Sequence, residues 1–119
     1  MNQQIVNNTR ALNRDRKIPF IEQIVNTIVI NAEPDKIILF GSYARGDNKN
    51  NSDIDILILK KGLTNERELT NNLYMEFFNN KISIPVDLIA IDYDKYYQLN
   101  NDIGYIYKTI NREGKVVYE

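Results

Sequence analysis

The chain has 119 residues, 43% of them hydrophobic and 26% charged, which suits a single globular domain with one modest core. A formal charge of -1 and a pI near 5.5 give no general attraction to a nucleic-acid backbone. With no cysteine and no histidine, disulfides, thiolate chemistry and imidazole catalysis are excluded, so any reaction must rest on carboxylates, hydroxyls, lysine, arginine and a metal.

Residues 1–17 are polar, with Ile5, Val6 and Leu12 the few apolar points. They read as a short helix or loosely held arm ahead of a domain over 18–119. No signal-peptide core and no run near the roughly 20 apolar residues of a membrane span occur, so a cytoplasmic protein away from membranes is expected. Ile21, Ile24, Val25 and Ile28 recur at spacings of three and four, which predicts a helix with Pro19 in its first turn, ending before Pro34. Ile37–Phe40 is a continuous apolar run of strand length, as expected of a strand covered on both faces.

At Gly41 that run stops. Ser42 to Arg45 can begin a short helix that Gly46 ends, and Asp47 to Ser52 is a polar loop by composition. Asp53 to Leu59 alternates Asp and Ile and then turns apolar, a strand in which Asp53 and Asp55 share one face about 7 Å apart. Lys60 and Lys61 read as its solvated end. Leu69, Leu73 and Phe77 predict a helix from about Asn65 to Phe78, with Glu66 and Glu68 at its start. Ile82 to Ile91 is a third strand candidate interrupted by Asp87, with Pro85 near its beginning. Asp92 or Asp94 can cap a further helix through Tyr97 and Leu99. Ile103, Ile106, Tyr107 and Ile110 suggest a last helix ended by Gly114, and Val116–Tyr118 a short final strand. The fold class is therefore α/β (α+β), a small mixed β-sheet flanked by helices.

The chemistry concentrates on three aspartates placed where strands should be apolar. An ionised carboxylate in a sheet is costly unless paired, hydrogen-bonded or bound to a metal. If the strands carrying Asp53, Asp55 and Asp87 are neighbours, all three converge, and an oxygen-only set selects Mg²⁺ first and Mn²⁺ second. Gly41 lets the backbone approach a ligand, Ser42 offers a hydroxyl, and the following helix start presents amides to a phosphate. Arg45 either contacts phosphate or pairs with Asp47. Each feature also has a plainer role: Ser42 as a helix cap, Asp87 as a strand-edge residue facing water, and the tyrosines Tyr93, Tyr96, Tyr97, Tyr105 and Tyr107 as helix packing or a partner surface.

Gly41-Ser42, ten intervening residues and Asp53-Ile54-Asp55 resemble the signature of the polymerase-β-type nucleotidyltransferase superfamily. GSYARG followed by SDIDILI resembles its minimal nucleotidyltransferase branch, from about Ile18 to the closing EGKVVYE. That resemblance implies a polymerase-β-like fold, ATP as substrate, triphosphate binding at Gly41 and Ser42 with Arg45 and Ser52 beside them, and Mg²⁺ on Asp53 and Asp55 with Asp87 as third carboxylate. It also implies a HEPN-domain RNase toxin as partner, neutralised by transfer of AMP to a tyrosine. Two other readings stand beside it: a non-catalytic module that silences its partner by contact, and transfer to a small molecule or nucleic acid.

Overall fold

A computed structural model describes residues 18–99 and 105–119. The expected arm or helix over 1–17, and Ile103 of the last helix, lie outside those residues. The first element is helix α1, Ile21–Ala32, whose buried residues Ile21, Ile24, Val25 and Ile28 follow the expected spacing. Pro19 falls in a turn just ahead of it, because Phe20, in the left-handed region, makes the entry. Strand β1, Lys36–Phe40, follows, then the short helix α2, Gly41–Arg45, closed by Gly46 in a left-handed conformation at φ 87°. Strand β2 spans Ile54–Lys60, helix α3 Glu66–Asn79 and strand β3 Val86–Asp92. Helices α4, Tyr93–Leu99, and α5, Tyr105–Glu113, lead into strand β4, Lys115–Tyr118.

The four strands form one sheet in the order β3-β2-β1-β4. β1 runs antiparallel to β2 and β4, while β2 and β3 are parallel, joined through α3. Strand period two sorts the side chains into two cores. Ile37 and Leu39, Ile54, Ile56 and Ile58, and Leu88 and Ala90 face α1 and α3. Ile38 and Phe40, Leu57 and Leu59, and Ile91 face α4 and α5, packing on Tyr96 and Ile110. The continuous apolar run of β1 thus reflects a strand covered on both sides.

The second face is closed largely by tyrosines. Tyr96 is buried and meets Tyr97 and Tyr107 edge-on, and Lys36 Nζ donates to the Tyr97 hydroxyl at 2.8 Å. Packing on a helix face is thus the role observed for these rings, with the Tyr105 side chain outside the described residues. Lys60 differs from its expected solvated role. Its ammonium donates to the carbonyls of Ala32 at 2.6 Å and Glu33 at 3.3 Å, capping the end of α1. Asp92 accepts from the amides of Lys95 and Gly62, so it caps α4 and ties down the turn after β2. These amides hold its carboxyl below the usual carboxylate range. Among the described residues no helix is long and apolar enough to cross a membrane.

Candidate active site

The strand register sets the site. Asp55 of β2 pairs with Asp87 of parallel β3 on one side and with Phe40, the residue before α2, on the other. Residues paired across adjacent strands share a face about 4.8 Å apart. Asp55 and Asp87 therefore project side by side on the α4–α5 face, continuing the rows of Leu57 and Ile89 where apolar packing gives out. Asp53 precedes β2 by one residue, at the end of the loop that leads into the strand. The Ile54 amide donates to the Pro85 carbonyl at 2.9 Å, so the two strands are joined from their first residues.

Asp55 is half-buried, whereas Asp53 and Asp87 are exposed. Burial, and then the charges of Asp87 and Asp53, push the Asp55 carboxyl up to about 6, with Arg45 pulling it the other way. Gly41 explains how Asp55 fits. A Cβ at this position would collide with the Asp55 carboxylate, and the backbone stands at φ +76°, so glycine is required on both counts. Ser42 follows in α2, with Tyr43 and Ala44 buried behind it in the first core. Its carbonyl accepts from the amides of Gly46 and Asp47, and its side chain makes no cap for α2.

Arg45 lies at the end of α2. Its Nε donates to Asp47 Oδ2 and its Nη1 to Glu113 Oε2, both at 3.1 Å. Ser52 Oγ accepts from the Lys49 amide at 2.7 Å, fixing the polar loop that leads to Asp53. The structure thus brings Gly41, Asp55 and Asp87 into direct neighbourhood, sets Asp53 and Ser42 beside them, and leaves Ser52 in a loop-bracing role. Sequence reasoning missed Glu113, whose signal was the closing EGKVVYE, a motif with no chemistry of its own until the fold sets it against Arg45.

Among the described residues no three acidic side chains form a ready-made metal cage. The arrangement is Asp55 in β2 and Asp53 just ahead of it, with Asp87 opposite Asp55 and both Asp53 and Asp87 exposed to solvent. It suits a hard divalent cation nonetheless: every donor is a carboxylate, and their mutual repulsion at Asp55 is what a cation relieves. Chemically, the site can hold a metal-bound phosphate chain between carboxylates and the amide-rich start of α2.

The family model described as Polymerase beta, Nucleotidyltransferase matches residues 22–119, and the chain belongs to that family as a nucleotidyltransferase. It is similar to "Putative protein adenylyltransferase MJ0141" of Methanocaldococcus jannaschii, at 48% identity over 40 residues. That match covers 34% of this chain and spans 40% of the archaeal protein. Among solved structures, the fold resembles a toxin–antitoxin complex with AMP-PNP, with a TM-score of 0.59 and 23% identity over 81% of this chain and 70% of that one. A mutant of the toxin–antitoxin pair MntA–HpeT gives a TM-score of 0.58 at 21% identity, with the same coverage of both chains.

Proposed function

We propose that this nucleotidyltransferase moves AMP from ATP to a hydroxyl on a partner protein, a tyrosine of a HEPN-domain toxin, and so acts as its antitoxin. The observation that carries the reading is the pairing of Asp55 with Asp87 across β2 and β3, against the Gly41 turn. The α2 start and the Ser42 hydroxyl bind the phosphates, and Arg45, from the last turn of that short helix, adds a cation. Asp87, exposed on the edge strand β3, takes the proton of the acceptor hydroxyl. The freed oxygen attacks the α-phosphorus, the bond to the β-phosphate oxygen breaks, and pyrophosphate leaves. Asp53 and Asp55, with Asp87, would hold Mg²⁺ or Mn²⁺, which supplies neutralisation of the phosphate charge.

The name of the archaeal relative supports adenylyl transfer to protein, and the complexes that share the fold support a toxin as the acceptor. The test is incubation with α-labelled ATP, Mg²⁺ and the product of the neighbouring gene. Label should appear on that product and be lost in the Asp53→Asn/Asp55→Asn double variant. Protection from the toxin by that same variant would instead favour silencing by contact alone.

A further inference from the structure

The reaction above makes no use of Glu113 and Gly114, which open the closing EGKVVYE stretch. They stand where α5 turns into β4, directly over β1. A Cβ on Gly114 would lie 2.6 Å from Ile38 Cγ2 and 2.5 Å from the Ile110 carbonyl oxygen, so only glycine lets the end of α5 settle this closely onto β1. Ile38 is three residues from the start of α2. The settled helix end puts Glu113 within reach of Arg45, 68 residues away in sequence.

Arg45 is consequently gripped from two sides. Asp47, in the loop after α2, takes Nε, and Glu113 takes Nη1, while Arg112 Nη2 donates to the other Glu113 oxygen at 3.3 Å. Two carboxylates and two guanidinium groups cancel, so the grip leaves no excess negative charge to repel a phosphate. A guanidinium is a rigid planar fork of five N–H donors, and fixing Nε and Nη1 decides where the remaining donors point. These pairs are too exposed to add much stability, with the Arg45 and Asp47 side chains 41% and 62% accessible. Their effect is orientation, bought before any ligand arrives.

We propose that Glu113 is a positioning residue for nucleotide binding: with Asp47 it holds the Arg45 guanidinium ready to meet the triphosphate. The proposal rests on the reading of Arg45 as a nucleotide-binding residue and extends it to the chain's closing motif. Glu113 touches neither phosphate nor metal; it acts through Arg45.

Binding of α,β-methylene-ATP and of AMP to the full chain in saturating Mg²⁺, measured by calorimetry, tests this. Glu113→Gln should weaken the triphosphate analogue about three- to tenfold, the range expected for loosening one exposed charge pair, and leave AMP unchanged. Asp47→Asn should act in the same direction from the other side. Arg45→Ala should weaken the analogue at least as much, and Glu113→Gln should add nothing to it. Additive effects, or equal weakening of AMP and analogue, would overturn the proposal by making Glu113 independent of Arg45. Tighter or unchanged analogue binding in Glu113→Gln would also overturn it, the former showing that the pair holds Arg45 away. If Arg45→Ala is silent while Asp55→Asn weakens the analogue, the role of Arg45 fails and this proposal with it, while the carboxylate seat stands.

Discussion

At Asp55 a carboxylate occupies a half-buried position beside two others, a placement that costs folding energy. Its carboxyl stands near 6 in the folded protein against 3.8 for the ordinary side chain. A raised folded value means that ionisation is penalised in the native state. The group's contribution to stability is fully present below pH 3.8 and is lost as pH rises through about 6. Asp92 and Glu113, both held low, work in the opposite sense, losing stability as pH falls. The clean measurement is therefore a difference. In metal-free buffer, Asp55→Asn should melt above the unaltered protein at pH 7.5, and the gap should close as pH falls to about 4. A gap that stays constant with pH would show that Asp55 pays no ionisation penalty.

At the scale of elements, how well the sequence foretells the fold depends on whether the signal is local. β1 announced its two-sided burial by an unbroken apolar run, α1 by its spacing, and α2 by Gly41 and Gly46 at its ends. Asp53, Asp55 and Asp87 stood out because a strand has no local reason to carry them. Lys60 and Glu113 were illegible for the opposite reason: surface charges are common, and their partners, Ala32 and Arg45, lie 28 and 68 residues away. Lys60 carries a consequence for α1. That helix has no basic residue in its last turn, and its terminal carbonyls are met by the Lys60 ammonium from the end of β2. Lys60→Ala removes a charge-assisted, part-buried bond and should lower unfolding free energy by about 1–3 kcal/mol. Urea unfolding with an unchanged m-value would show the effect to be local.

Across the whole molecule, both cores and all three carboxylates depend on the single sheet, so a ligand at the site should be felt in global stability. β2 lies at the centre of that coupling: it pairs with β1 and β3, contributes to both apolar faces, and carries Asp55 as its second residue. A divalent cation held on Asp53 and Asp55, as proposed, would replace repulsion with attraction in the folded state and would find no such pair arranged in the unfolded chain. Mass action then stabilises the native protein by about 2.7 kcal/mol when Mg²⁺ stands at 100 times its dissociation constant. The melting temperature should rise with Mg²⁺ in the unaltered protein and stay flat in Asp55→Asn. Because a carboxyl near 6 must lose its proton to bind, the rise should be larger at pH 7.5 than at pH 5. An equal rise in the variant would place the cation elsewhere on the surface. A rise independent of pH would separate metal binding from Asp55 and leave its raised carboxyl to burial and its acidic neighbours alone.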